Sequence, residues 1–262
     1  DEQFQHVPRS LQYRRRRYCN QQVSKCCGFS TRSIGLFRSF DFSERRTRSS
    51  GISGAKGVNV NLTAVIRADA APNLGIGHVA RCLSLASVLA DKGYDITFAS
   101  RPGTRESAPM LDDAAVEIFE FKPDSDDETG QMKKQWPAGI DLLVVDSYEL
   151  DANFETGCRK WSQQIVTIDD LADRRHDCDI LVDSSPARQA KDYDGRIPND
   201  CNLMLGSSHA LLRPGFARLR PSTIHRRGKP GPIDRLLINF GGTDAWNLTP
   251  LVIEAVALSK LK

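Results

Sequence analysis

Features common in secreted, membrane and zinc-binding proteins are missing from this 262-residue sequence. Its seven cysteines are odd in number and scattered, which argues against a disulfide framework. No two cysteine pairs have the spacing of a zinc site, and no apolar run approaches the length needed to cross a bilayer. We therefore expect reduced thiols, a cytoplasmic setting, no membrane span and no metal ligands.

Acidic residues are scarce in the first sixty positions. Residues 1–60 hold twelve lysines and arginines against four acidic residues, whereas the remainder holds 24 against 29. The segment lacks sustained apolar periodicity, so we expect a disordered basic extension. A nucleic-acid- or lipid-binding arm, an organelle transit peptide and an extension without a role all fit this composition. The last is favoured, because aromatic residues do not alternate with the basic ones for base stacking and the chain does not start with Met.

The stretch Ile66–Ala86 has the pattern of strand, loop and helix. An apolar run at 62–66 is followed by two glycines, Gly75 and Gly77, and a long helical pattern starts at His78. The glycines allow a ligand close to the backbone, and a helix N-terminus favours a phosphate or an oxyanion. The helix dipole is expected to bias His78 toward the neutral imidazole that a general base requires. A tight turn with a solvent-facing histidine is the competing structural interpretation.

From residue 61 onward, strand and helix patterns alternate, which predicts an α/β domain with a mostly parallel sheet. Candidate strands are 62–66, 95–99, 116–121, 141–146, 164–168 and 180–182. Candidate helices are 78–92 and one opened by the acidic run 124–128. Ligands bind at the carboxyl ends of the strands in such sheets, which gives the loops 69–78, 146–148 and 169–170 a shared position. Residues 169–170 also fit a turn with a helix cap, and His176 fits a structural role better than a catalytic one.

Several of these motifs together resemble the signature of one enzyme family, UDP-2,4-diacetamido-2,4,6-trideoxy-β-L-altropyranose hydrolase of pseudaminic acid biosynthesis. They are Arg67-Ala-Asp69, Gly75-Ile-Gly77-His78, Arg81-Cys82-Leu83, Asp146-Ser147-Tyr148, Ile168-Asp169-Asp170-Leu171 and the segments 205–206 and 210–216. The similarity runs from about residue 63 to the end of the chain and leaves out the first sixty residues.

The resemblance implies a glycosyltransferase-B-like fold, with a Rossmann-type parallel-sheet domain at 61–217 and a nucleotide-binding domain after it. The run 218–232, rich in Arg, Pro and Gly, is the candidate linker. Beyond it, 234–240 is predicted as a strand and 247–261 as a helix. Residues 233–262 would then be only the start of an incomplete second α/β domain. We expect a C-terminally truncated fragment with weak UDP binding and little activity.

The resemblance also implies hydrolysis of a UDP-linked amino-deoxy sugar without metal or cofactor, and a monomer is expected. His78 is the expected general base for the attacking water, Tyr148 is expected to touch the sugar, and Asp69 to orient the sugar or His78. The full set of expected substrate contacts is Arg67, Asp69, Gly75, Gly77, Arg81, Tyr148, Gly241, Gly242, Thr243, Asp244 and Asn247. Two alternatives stay open: an inverting UDP-sugar glycosyltransferase of the same fold, and a non-catalytic fragment whose basic arm binds a partner such as nucleic acid.

Overall fold

The computed structural model describes residues 62–123, 127–228, 235–241, 244 and 246–259. Its strands are β1 (Leu62–Ala68), β2 (Tyr94–Ser100), β3 (Glu117–Glu120), β4 (Ile140–Asp146), β5 (Ser162–Ile168), β6 (Ile180–Asp183) and β7 (Asn202–Leu205). Its α-helices are α1 (Gly77–Ala90), α2 (Thr104–Ser107), α3 (Glu128–Gln135), α4 (Ala152–Cys158), α5 (Pro214–Arg227) and α6 (Leu248–Leu258). Short 3-10 turns lie at 109–111, 190–193 and 207–209.

The seven strands form one parallel sheet in the order β3-β2-β1-β4-β5-β6-β7. This confirms the predicted α/β, Rossmann-like parallel sheet. The chain winds outward from β1 through β2 and β3, then returns to place β4 on the other side of β1. Strand order therefore reverses between β1 and β4, and at such a reversal the loops leaving the two strands diverge and open a crevice.

Both faces of the sheet are buried, which explains the near-continuous apolar sequence of its central strands. Along β1, Ala64 and Ile66 pack into one core cluster, whereas Val65 packs into the other. In β4, Val144 belongs to the first cluster and Leu143 to the second. This alternation follows the period of two in a strand, and it holds the carboxyl ends of β1 and β4 in fixed positions.

Helix α1 follows β1 after the glycine loop and packs its apolar stripe against the first core cluster. Its buried residues include Val79, Leu85 and Leu89. The helix ends at Ala90, and Gly93 takes the left-handed conformation (φ +85°) that closes the turn into β2. Because α1 is packed along its length, the side chains of its first turns are held over the crevice between β1 and β4.

Two sequence predictions for the C-terminal part require correction. Residues 218–227 of the predicted linker lie in α5, which begins with Pro214 at its first position and continues through Pro221. Residues 235–240, predicted as part of a strand, form none in the described chain, and Leu237 is 87% exposed. An isolated segment has no ladder to join, so apolar character alone does not make it a strand.

The predicted helix at 247–261 is present as α6. The division into two domains stays a prediction, and the predicted disordered extension at 1–60 lies outside the described residues. Among the helices that the structure describes, none combines the length and the apolar character needed to cross a membrane.

Candidate active site

His78 and Asp146 meet where the strand order reverses. His78 lies in the first turn of α1, and Asp146 is the last residue of β4. The Nδ1 atom of His78 is 3.1 Å from Asp146 Oδ1 and 3.2 Å from the Asp146 carbonyl oxygen. His78 is 4% exposed, and its other ring nitrogen, Nε2, is buried without a hydrogen-bond partner.

This geometry selects one tautomer of the imidazole. Both neighbours of Nδ1 are oxygen acceptors, so Nδ1 carries the proton and Nε2 keeps its lone pair when the ring is neutral. Burial lowers the pKa of His78, but the hydrogen bond and the negative charge of Asp146 outweigh burial, and the pKa is raised above its ordinary value of 6.5. The expected bias toward the neutral form was therefore wrong, because a carboxylate in contact outweighs a helix dipole.

Asp146 is fully buried, and Arg81 makes that burial possible. Arg81 donates from Nε to Asp146 Oδ2 and from Nη2 to Oδ1, both at 2.6 Å. Burial would raise the pKa of Asp146, but the hydrogen bonds from Arg81 and His78 lower it below its usual value. Cys82 adds a thiol contact at 3.4 Å from Asp146 Oδ2. Asp146 is thus an ionised carboxylate held in one orientation against His78.

A second carboxylate joins the cluster through the same arginine. Arg81 Nη1 donates to Asp170 Oδ2 at 2.8 Å, so all three guanidinium nitrogens are engaged. The Tyr148 hydroxyl lies 3.4 Å from the same Asp170 oxygen, and its ring meets the His78 ring edge-on at 4.5 Å. Burial and Asp170 raise the pKa of Tyr148, which is 41% exposed. Tyr148 is the solvent-exposed wall of the His78 site.

The predicted residues Arg67 and Asp69 belong to a neighbouring buried cluster. Arg67 is fully buried, with Nη1 2.7 Å from Asp69 Oδ2 and a bidentate pair to Glu128 at 2.6 and 2.8 Å. Asp69 Oδ1 accepts from the Arg101 backbone N–H at 2.8 Å, and Arg101 Nε donates to Glu128 at 2.7 Å. The carboxylate that orients His78 is therefore Asp146 rather than Asp69.

The glycine loop leads directly into α1. Gly75 has φ of +80°, and its amide donates to the Ala71 carbonyl at 2.7 Å, which closes a tight turn. A Cβ built at Gly75 or Gly77 would meet no atom within 4 Å, so the space beside the loop is open. Ile76 provides no side-chain cap for α1, and the first amides of a helix have no partner within it. An uncapped helix start therefore faces an open space next to His78.

Asp169 and His176 form a separate buried network. His176 Nδ1 is 2.9 Å from Glu155 Oε1, and its Nε2 is 3.8 Å from Asp169 Oδ2. Burial lowers the pKa of His176, but Asp169 and Glu155 together raise it to about 9. Tyr193 donates to Asp169 Oδ2 at 3.0 Å. His176 is a charged bridge between two carboxylates, with an acidic group facing each ring nitrogen.

The structure does not bring the predicted C-terminal contacts to the His78 cluster. Gly242 and Thr243 lie outside the described residues. Gly241 and Asn247 make backbone hydrogen bonds to Asn239 and Asp244, and Asp244 caps the start of α6, so these bonds stay within the segment 239–249. No group of three or more His, Cys, Asp or Glu side chains in the described part of the chain is arranged to hold a metal ion.

Three functional candidates were not among the predicted site residues: Asp146, Asp170 and Glu128. Each is acidic and lies at the end of a strand or the start of a helix on the carboxyl side of the sheet. The signal that would have identified Asp146 is an aspartate directly after four apolar strand residues, opposite a histidine in the neighbouring βα loop.

No protein-family model matches the chain. A similarity of 27% identity over 203 residues links it to the UDP-2,4-diacetamido-2,4,6-trideoxy-β-L-altropyranose hydrolase of Campylobacter jejuni, covering 75% of this chain and 66% of the hydrolase. The uncharacterized protein MJ1062 of Methanocaldococcus jannaschii is 24% identical over 196 residues, covering 73% of this chain and 39% of that protein. The first similarity confirms the resemblance carried by the motifs. The chain spans just under two thirds of the length of the hydrolase.

Solved structures with a similar arrangement are more remote. The NADPH complex of BdcA is 12% identical with a TM-score of 0.33, covering 58% of this chain and 96% of that one. AibC is 13% identical with a TM-score of 0.33, covering 63% of this chain and 40% of that one. Neither likeness bears on the chemistry of the crevice.

Proposed function

We propose that this chain carries the water-activating domain of a UDP-sugar hydrolase, with His78 as the general base. The substrate class is a UDP-linked amino-deoxy sugar of pseudaminic acid biosynthesis. The observation that carries the proposal is the state of His78: Nδ1 is held by an ionised carboxylate, and Nε2 is buried without a partner. The name of the Campylobacter jejuni relative supports the reaction class.

The proposed reaction breaks the bond between the anomeric carbon and the UDP oxygen. A water oxygen attacks that carbon, one of its protons passes to His78 Nε2, and UDP leaves as the anion with the bonding electron pair. The products are the free sugar and UDP, and the imidazolium then returns its proton to solvent. A positioned general base accelerates such a step by about 10²–10⁴-fold.

Asp146 acts in this proposal as a positioning residue. Its carboxylate fixes the Nδ1–H tautomer and stabilises the positive charge that His78 acquires in the transition state. Arg81 neutralises part of the Asp146 charge and ties it to Asp170, so that the carboxylate stays ionised while buried. This arrangement keeps the pKa of His78 raised without surrounding the ring with anions.

The open space beside Gly75 and Gly77 is the proposed seat of the substrate pyrophosphate. Unpaired amides and the positive end of the α1 dipole suit an anionic leaving group. Tyr148 is the proposed sugar contact, because it is exposed beside the His78 ring. Gly241, Gly242, Thr243, Asp244 and Asn247 remain proposed contacts from the C-terminal segment, and Arg67 and Asp69 support the walls of the site.

The test is release of UDP from the UDP-linked sugar by the protein at its native length, with no acceptor present. Turnover is expected with water alone, and His78→Ala should lower it at least about a hundredfold. His225→Ala, which removes an exposed histidine of α5, is the matched control and should retain full turnover. UDP release that requires an added acceptor would identify a transferase instead, and retained turnover in His78→Ala would remove His78 from the mechanism.

A further inference from the structure

Two cysteines lie side by side at the far edge of the sheet, away from the His78 site in sequence and strand order. Cys178 precedes β6 and Cys201 precedes β7, and their Sγ atoms are 3.7 Å apart. The parallel register pairs Ile180 with Asn202, and the Asn202 amide donates to the Asp179 carbonyl at 2.9 Å. The two cysteines are thus held on adjacent backbones, one residue out of register.

The pair differs from the other two cysteines in the described chain. Cys82 is buried against Asp146, and Cys158 is fully buried, with a pKa that burial raises to about 11. Cys201, by contrast, is partly exposed, and its neighbour Cys178 is 1% exposed. The hydrogen bond with Cys201, followed by burial, raises the pKa of Cys178. A solvent-accessible thiol therefore lies in contact with a buried one.

We propose that Cys178 and Cys201 form a reversible disulfide by exchange with a low-molecular-weight disulfide such as oxidised glutathione. The Cys201 thiolate attacks one sulfur of the oxidant and releases one glutathione thiolate, which gives a mixed disulfide. The Cys178 thiolate then attacks Cys201 Sγ and releases the second glutathione. Two protein thiols are oxidised, one external disulfide is reduced to two thiols, and two protons are released.

The crosslink would close the chain segment that supports the aspartates of the crevice. The two cysteines are 23 residues apart, and Arg188 and Tyr193 lie between them. Arg188 Nη2 donates to the Asp170 carbonyl at 2.7 Å, and Tyr193 donates to Asp169 Oδ2 at 3.0 Å. Closing a loop of this length restricts the unfolded chain and should raise the melting temperature by about 5–10 °C.

The experiment uses the full chain in a Cys19→Ser, Cys26→Ser, Cys27→Ser background, which removes the three thiols outside the described residues. The protein is incubated with oxidised glutathione, alkylated without reduction, and analysed by peptide mass spectrometry. The expected product is a peptide pair joined through Cys178 and Cys201, two hydrogens lighter than the sum of its thiols and reversed by dithiothreitol. Cys82 and Cys158 are expected to be alkylated only after unfolding.

Cys178→Ser is the matched variant, since it keeps a small polar atom beside Cys201. It should stop at a mixed disulfide of Cys201 with glutathione and show no rise in melting temperature. Thiols that stay free in the native background, or a mixed disulfide there that never resolves to the crosslink, would overturn the proposal.

Discussion

His78 and His176 are both buried histidines with a carboxylate oxygen close to Nδ1, at 3.1 Å from Asp146 and 2.9 Å from Glu155. They differ at Nε2. Beyond His176 Nε2 lies a second carboxylate, Asp169, whereas His78 Nε2 has no partner. They differ also in what balances the acid, because Arg81 pairs with Asp146, and Glu155 instead pairs with His176 itself.

The comparison shows how one residue type acquires two properties. Two anions around His176 stabilise the imidazolium so strongly that the ring is a permanent cation near neutral pH, which suits a structural bridge. One anion, shared with an arginine, leaves His78 able to lose and gain a proton near neutral pH. The difference lies in the partners, since both rings are almost fully buried.

Removing the structural histidine is the largest expected disturbance. His176→Ala would leave Glu155 and Asp169 buried without their shared cation, and we expect a loss of about 3–5 kcal/mol in the free energy of unfolding. Urea unfolding at pH 7 measures it, with His225→Ala as the control that should change nothing. A loss below about 1 kcal/mol would mean that the two carboxylates find other partners or that the bridge carries no net energy.

The second expected effect is a pH dependence of stability that comes from the same bridge. The pKa of His176 is raised from 6.5 to about 9 in the folded protein, so its stabilisation is complete below pH 6.5 and is lost as the pH rises toward 9. The shift corresponds to about 3 kcal/mol at most. The measurement is the difference in unfolding free energy between pH 6 and pH 9.5. His176→Gln should flatten the curve over this window, and an unchanged slope in that variant would assign the effect to another group.

A smaller effect is expected from removing charge on the other side of the comparison. Asp146→Asn keeps the shape of the side chain but removes the anion that raises the pKa of His78. The acid limb of the rate profile should move to lower pH, while the plateau rate falls by about ten- to a hundredfold because the tautomer and the imidazolium lose their partner. Melting temperatures of the variant and the parent provide the control. A lower plateau with an unmoved acid limb would assign Asp146 a purely structural role.

The central fold could be predicted because its strands obey a local rule. Strands buried on both faces are continuous apolar runs, and β1 and β4 stand out for that reason. The edge strand β7 and the short helix α4 lack such a pattern and were missed, since four strand residues and seven helical residues depend on tertiary contacts. Helix α5 was hidden by prolines that composition assigns to a linker.

The site was predictable only in its local half. Two glycines before a helix pointed to His78, because the loop and the helix start are adjacent in the chain. The partner of His78 lies 68 residues away, and Arg81 contacts Asp170 across 89 residues. Pairings of this kind are set by strand order, which the sequence does not reveal locally. The motif at Arg67 was found, yet its buried pairing with Glu128 across 61 residues was not.

The state of the His78 ring is the most direct test of the account, and ¹⁵N NMR of histidine-labelled protein reads it without any assay. We expect His78 to titrate with a pKa above 6.5 but below that of His176, and to be protonated on Nδ1 with a free lone pair on Nε2 once neutral. His176 should stay doubly protonated to about pH 9. A neutral His78 carrying its proton on Nε2, or a pKa below 6.5, would contradict the assignment of His78 as the base.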